Sequence, residues 1–303
     1  MSLVPYRHDL IAARMRIARE HQYAPMCSTE YAVVGYGLPI LVVHGSGGGI
    51  DQSLLMAADL VRHGYRVIAP SRFGYLGTPL PNEDASSQAQ ADAFACLLDH
   101  LKIDRVAVIG ASAGAPSSMQ MAIRHPERVS ALVLLVPATF MPNAEGAGAS
   151  APPGLATILV TVMRWDYPFW VATKVMRKIL VRHVLATPPE LLDAVDADER
   201  QRVENFLDFV MPVSERRVGL VNDGIVTTNL SRFALEQVRA PTLVISAQDD
   251  LYGTYERARY TAGEIPGARF VGYPSGGHLL VGHQKQVTNE LLTHLGKAIA
   301  RPP

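Results

Sequence analysis

The sequence predicts an α/β protein: a doubly wound, mostly parallel sheet interrupted once by an all-helical insertion. Three observations predict it. Continuous apolar runs of strand length recur along the chain, segments with helical spacing separate them, and the alternation stops between about Phe140 and Leu230 before resuming at Thr242. Continuous runs suit parallel strands covered on both faces better than alternating ones do. Regular strand–helix alternation closes most simply as a doubly wound sheet.

Taken in order, the chain opens with Arg7, Arg14, Arg16 and Arg19 set among short apolar stretches. No continuous apolar block there could serve as a signal peptide or membrane span, so an exposed amphipathic helix ahead of the domain and a cytoplasmic location are expected. Strands are expected at Ile40 to Val43, Arg66 to Ala69, Val106 to Ile109, Ala131 to Val136, Thr242 to Ser246 and Arg269 to Tyr273. Helical spacing runs from Gln52 to His63, Ser86 to Leu101, Ala113 to His125, Tyr255 to Glu264 and Gln284 to Ala300, with Ser86 suited to an N-cap. The insertion begins with "PNAEGAGASAPPG", which reads as a flexible connector. It continues with "LATILVTVMRWDYPFWVATKVMRKILVRHVL" and "PELLDAVDADERQRVENFLDFV", both helical in period. The run "ILVTVM" is too short to cross a bilayer. The organisation expected is a core of residues 1–139 and 231–303 with a helical cap of residues 140–230.

Composition narrows the function classes. With 303 residues, 48% of them apolar and 18% charged, a large folded core is expected. Lys and Arg number 28 and so do Asp and Glu, which removes the electrostatic footprint of a protein that grips nucleic acid or an anionic membrane. Cys27 and Cys96 lack metal-ligand spacing and read most simply as reduced thiols.

Four stretches carry chemistry. "VVHGSGGG", from Val42 to Gly49, follows a strand with a glycine-dense turn, where backbone amides can converge on developing negative charge. "GASAGA" places Ser112 in a G-x-S-x-G pattern between a strand and a helix, the context of a nucleophile elbow. "ISAQDD" ends a late strand with adjacent carboxylates, and "PSGGH" ends in His278. Each lies at the C-terminal end of an expected strand, where open α/β sheets place their sites. A serine hydroxyl attacks a carbonyl only if an imidazole takes its proton, and a carboxylate must fix that imidazole's tautomer. Serine, acid, histidine is the chain order these stretches supply.

With "VHGSGGG", "SRFGYLGTP", "GASAGA", "RHPERVSALVLL", "APTLVISAQDD" and "SGGHLLVGH", the chain resembles the α/β-hydrolase superfamily from about Tyr31 to Leu295. The resemblance implies a nucleophile at Ser112, a general base at His278 and an orienting acid at Asp250. Asp249 is the rival; Asp250 is preferred because the family's usual acid falls three residues after the small residue closing the strand, here Ala247. It also implies an oxyanion hole from the backbone amides of Ser46 and Ala113, and no cofactor or metal. Ser71 stands where many relatives carry an aspartate before the arginine, which puts the ion pair of that loop in doubt.

The expected reaction is cleavage of a small carboxylic ester or lactone. Two alternatives stay open: a carbon–carbon bond hydrolase of ring-cleavage products, and a non-catalytic ligand-binding member of the fold. The first lacks the tryptophan usual after the histidine, because Leu279 follows His278. A P-loop needs a Gly-Lys-Ser/Thr ending that "GSGGG" does not have. His44 reads as a structural anchor of its turn. Gly47, Trp165 and Trp170 are the expected pocket residues, the tryptophans having lid-core packing as their plainer reading. The partner is a small molecule, with neither nucleic acid nor membrane, and a homodimer is allowed.

Overall fold

The computed structural model describes residues 3–142 and 163–299. Most of the Gly, Ala and Pro connector, and all of the "ILVTVM" run after it except Met163, lie outside these residues. Eight strands form one sheet: β1 (Gln22–Ala24), β2 (Thr29–Val34), β3 (Leu38–Val43), β4 (Tyr65–Pro70), β5 (Val106–Ala111), β6 (Val129–Leu135), β7 (Thr242–Ala247) and β8 (Arg269–Tyr273). Their order is β1-β2-β4-β3-β5-β6-β7-β8. The last six are parallel, as expected, and β1 and β2 add an antiparallel edge.

That edge was not foreseen. β1 has three residues, and β2 opens with Thr29 and Glu30, polar residues that no apolar pattern flags. Both are buried because the fold supplies partners: Thr29 Oγ1 donates to the Cys27 carbonyl at 2.8 Å, Ser71 Oγ donates to Glu30 Oε2 at 2.5 Å, and the Glu30 amide donates to Thr78 Oγ1 at 2.9 Å. Buried polar groups are tolerated when hydrogen-bonded in this way.

Helices cover both faces. On one face α4 (Ser87–His100), α5 (Ala115–Arg124) and α10 (Thr254–Glu264) pack with Leu41, Val108, Leu132 and Val244. The hydroxyl of Ser86 caps α4 by accepting from the Ala89 amide at 3.2 Å. On the other face α2 (Ile50–Met56), α3 (Ala58–Arg62) and α11 (Gln284–Ile299) meet Val42, Ile109, Val133 and Ile245. The helix expected from Gln52 to His63 is two helices, broken at Ala57.

Two expectations about the N-terminal region need correction. Helix α1 (Leu3–Glu20) is not merely an exposed lead-in. Ala13 and Ile17 are buried, Tyr6 packs edge-on against Tyr167 and Trp170, and Arg16 donates to Asp51. Arg14 and Arg16 serve ion pairs within the fold, to Glu215 and Asp51. Cys27 and Cys96 are not free thiols but a disulfide, with Cα atoms 5.7 Å apart, because the turn between β1 and β2 rests on α4. A separation of 69 residues hides such a meeting from the sequence.

Between β6 and β7 the described residues from 163 onward hold four α-helices and no strand: α6 (Asp166–Val175), α7 (Arg177–His183), α8 (Ala197–Asp208) and α9 (Arg217–Thr228). They have their own apolar cluster, built on Phe169, Trp170, Val203, Phe206, Leu207 and Val213. Among the described residues no helix is long and apolar enough to cross a membrane.

Candidate active site

Ser112 follows β5 in a single 3₁₀ turn, Ser112–Gly114, and has φ +50°. A non-glycine residue in the left-handed region costs about 1–3 kcal/mol, a strain that clusters at functional sites. The turn is possible because its neighbours have no side chain in the way. A Cβ on Gly110 would come within 2.6 Å of Ser118 Cβ, and one on Gly114 within 2.5 Å of the His44 carbonyl. The Ser112 carbonyl is held by the Ala138 amide at 3.1 Å, so the exit from β6 braces the elbow.

The histidine and the acid come from the ends of β8 and β7. His278 Nδ1 lies 2.8 Å from Asp250 Oδ2, and both side chains are buried. Asp250 also accepts from the Tyr252 amide at 2.8 Å and from the Thr254 hydroxyl. Asp249 does something else. Its oxygens accept from the amides of Gly277 at 2.7 Å and Gly276 at 3.2 Å, pinning the backbone of the histidine loop without reaching the ring. The ring of Tyr252 stands edge-on to His278 with centroids 4.9 Å apart. Although Tyr252 as a residue is 38% exposed, its hydroxyl turns inward to the Val184 carbonyl, and burial together with Asp250 pushes its pKa up to about 12.

The glycine turn reaches the serine. A Cβ on Gly45 would stand 3.0 Å from Ser112 Cβ, so the turn and the elbow are in contact. What holds the turn is a buried polar network. His44 Nε2 accepts from the Arg72 amide at 3.0 Å, which leaves Nδ1 to donate to the Gly45 carbonyl at 2.7 Å. Burial, helped by Arg72, holds the imidazole well below its ordinary pKa, so it is neutral, and it is the structural anchor expected. Arg72 forks onto Asp223 of α9 at 2.6 and 2.7 Å. Asp223 also accepts from the hydroxyls of Tyr75 at 2.5 Å and Ser46 at 2.8 Å. The ion pair that Ser71 put in doubt therefore exists, with its carboxylate supplied by α9. Arg216, fully buried, adds a second clamp from the same region, to Asp51 at 2.8 Å and to the Gly48 carbonyl at 2.5 Å.

Ser112 and His278 line one cavity of about 960 Å³, counting the space at its open mouth. Its walls include Gly45 and Ser46 of the turn, Met56 and Leu60 of α2 and α3, and Val287 and Leu291 of α11. The inserted helices contribute Val184, Leu185, Arg202 and Phe206. Gly47, Trp165 and Trp170 are not among its walls. Trp165 is 59% exposed, while Trp170 is buried against Tyr6 and Tyr167 with its indole N–H on Asp9 at 2.9 Å. The aromatic cluster is the joint between α6 and α1. Sequence reasoning missed the wall from α3 and α11, whose lining residues look like any buried helix face; among the described residues its one acidic group is Asp59, on which burial is outweighed by Gln284, Thr288 and Arg62, which hold it below its usual pKa.

The chain belongs to the α/β hydrolase fold family, whose model matches residues 39–282. It is 24% identical over 248 residues to the 2-hydroxy-6-oxo-6-phenylhexa-2,4-dienoate hydrolase of Burkholderia cepacia, an alignment covering 80% of this chain and 82% of that one. It is 29% identical over 243 residues to the pimeloyl-[acyl-carrier protein] methyl ester esterase of Aromatoleum aromaticum, covering 79% and 90%. Three further curated relatives are matched over only 36%, 38% and 42% of their own length. Among solved structures, an α/β hydrolase fold protein from Nakamurella multipartita superposes with a TM-score of 0.65 at 30% identity, covering 88% of this chain and 95% of that one.

Proposed function

We propose that the protein is a serine hydrolase that cleaves a small, uncharged carboxylic ester or lactone through an acyl-enzyme. The observation that carries the reading is that a strained Ser112 and His278 line one cavity, with Asp250 buried behind the histidine on its Nδ1. Ser112 Oγ attacks the carbonyl carbon while His278 Nε2 takes its proton. The imidazolium then returns that proton to the leaving alkoxide, and water repeats the sequence on the acyl-enzyme. Asp250 keeps the Nδ1 proton in place and offsets the imidazolium charge. The amides of Ser46 and Ala113, on the two loops that meet at Gly45 and Ser112, are assigned to the oxyanion, where one donor is commonly worth about 3 kcal/mol of barrier. The helices inserted between β6 and β7 form the cap, with the boundaries 140–230.

A second reading is favoured by the dienoate hydrolase among the relatives. Against it stands the charge of the cavity. Its arginine, Arg202, is committed to Glu199 at 2.8 Å and to the Leu279 carbonyl at 2.8 Å, and Asp59 adds an acidic group. A ring-cleavage dienoate would bring a carboxylate into this cavity with no uncommitted arginine or lysine among the described wall residues to meet it. A panel of p-nitrophenyl esters of increasing acyl length, lactones and a ring-cleavage dienoate separates the readings. Turnover of esters or lactones with none of the dienoate supports the proposal; preferred turnover of the dienoate overturns it. The cytoplasmic location expected from the sequence is weighed against by the Cys27–Cys96 disulfide, since such bonds persist mainly in oxidising compartments. Fractionation of the native host decides that point.

A further inference from the structure

The acid loop and the histidine loop are both fastened to the cap. Ala186, at φ +43°, turns its carbonyl to accept from the amide of Leu251 at 3.0 Å and from that of His278 at 3.3 Å. One carbonyl thus spans the residue after Asp250 and the histidine itself. Thr187, fully buried, donates its hydroxyl to the Leu185 carbonyl at 2.8 Å and accepts from the Leu279 amide at 3.3 Å. Its backbone leaves no room for a side chain on Gly277, where a Cβ would come within 2.8 Å of Thr187 Cα. The Tyr252 hydroxyl donates to the Val184 carbonyl at 3.1 Å, tying the other side of the acid loop to the same four residues. Further along, Glu199 of α8 accepts from the Gly282 amide at 2.9 Å, and Arg202 donates to the Leu279 carbonyl.

The core contributes less to this loop than the cap does. Asp249 holds the amides of Gly276 and Gly277, whereas those of His278, Leu279 and Gly282 go to residues 186, 187 and 199. The 2.8 Å contact between His278 and Asp250 joins two loops whose facing backbones share a partner on the cap.

We infer that residues 184–187 are a strap that holds the catalytic histidine in register with its acid, and that Thr187 is a positioning residue of the triad. The inference rests on the triad reading above. It assigns the cap a part in the chemistry as well as in substrate choice: a loosened strap lowers the rate of attack by Ser112 without changing how the cavity binds its ligand.

The test uses the full chain and a fluorophosphonate probe, which reports triad alignment whatever the natural substrate. Ser112 Oγ attacks phosphorus, fluoride leaves, and His278 takes the proton. Thr187→Val keeps the shape and removes the hydroxyl; Thr187→Ser restores it. Arg177→Gln cuts the cap's internal pair with Asp208 and leaves the strap alone. Misplacing a reacting group by about 1 Å can cost about 10²-fold in rate. Folded Thr187→Val should therefore label at least about tenfold more slowly, with kcat on p-nitrophenyl acetate falling in step and KM steady. Thr187→Ser should recover most of the loss, Arg177→Gln should label like the wild type, and the downfield proton signal of the His278–Asp250 hydrogen bond should broaden in Thr187→Val alone. Wild-type labelling rates in folded Thr187→Val, a change confined to KM, or an equal loss in Arg177→Gln overturns the inference. Should Thr187→Val fail to fold, Tyr252→Phe releases the strap at Val184 and must slow labelling for the inference to stand. Failure of the wild type to label at Ser112 overturns the triad reading itself, which separates the two failures.

Discussion

Replacing Asp223 by alanine should unfold more of this protein than its distance from Ser112 suggests. The carboxylate accepts four hydrogen bonds, two from Arg72 and one each from Tyr75 and Ser46. Side-chain exposure is 8% for Arg72 and 6% for Asp223, so solvent screens the pair little. Burial alone works against the Arg72 charge, and Asp223 outweighs it, holding the guanidinium above its ordinary pKa. Asp223→Ala strands that charge in the interior. Breaking a buried pair from one side typically costs about 3–5 kcal/mol, because the remaining ion loses its partner and recovers no water. The loss should appear as a lower urea midpoint with an unchanged slope. Arg72→Met combined with Asp223→Leu removes both charges, and the double variant should be at least about 2 kcal/mol more stable than the sum of the single losses implies. Ester turnover should fall in Asp223→Ala as well, since Ser46 loses its anchor. A cost below about 1 kcal/mol, or additive single losses, would show that the pair is solvated and that α9 does not hold the glycine turn.

The two carboxylates after β7 should separate cleanly: Asp250→Asn loses orders of magnitude in kcat, as removal of the triad acid does, whereas Asp249→Asn acts through two backbone contacts and loses far less. Steady-state kinetics on p-nitrophenyl esters checks this, and reversed effects would exchange the roles. Trp170→Ala should destabilise by about 3–5 kcal/mol and Trp165→Ala hardly at all, with the acyl-length profile unmoved in both, while Val287→Phe should shorten the preferred acyl chain. His44 is buried neutral with a depressed pKa, so its contribution to stability is complete above the unfolded value near 6.5 and declines as pH falls from there toward the folded value. The slope from this group is about 1.4 kcal/mol per pH unit, and urea midpoints at pH 7 and 5.5 should differ more for the wild type than for His44→Gln.

The parallel strands were legible because each carries a continuous apolar run, buried on both faces in all but the partly exposed edge strand β8, and the chain order of serine, acid and histidine placed the catalytic candidates. Asp250 and Asp249 could be ranked from sequence only through resemblance. The carboxylate on the imidazole is distinguished from the one on the glycine amides by loop geometry, which adjacent identical residues do not reveal. The partner of Arg72 was hidden for another reason. Its carboxylate lies 151 residues away on a helix inserted between β6 and β7, where Asp223 reads as an ordinary polar position. Trp165 and Trp170 misled because an aromatic cluster in a lid suits a pocket wall as well as a helix joint. Only the docking of α1, which carries Tyr6 and Asp9, decides between them.

A nucleophilic Ser112 must become covalently acylated during turnover, and that species can be trapped. Rapid acid quenching of wild-type protein turning over p-nitrophenyl acetate, followed by peptide mass analysis, should show one added acetyl group on the peptide containing Ser112. Ser112→Ala, equally folded, should show neither adduct nor turnover. An acetyl group on another residue, or full turnover by Ser112→Ala, would contradict the account.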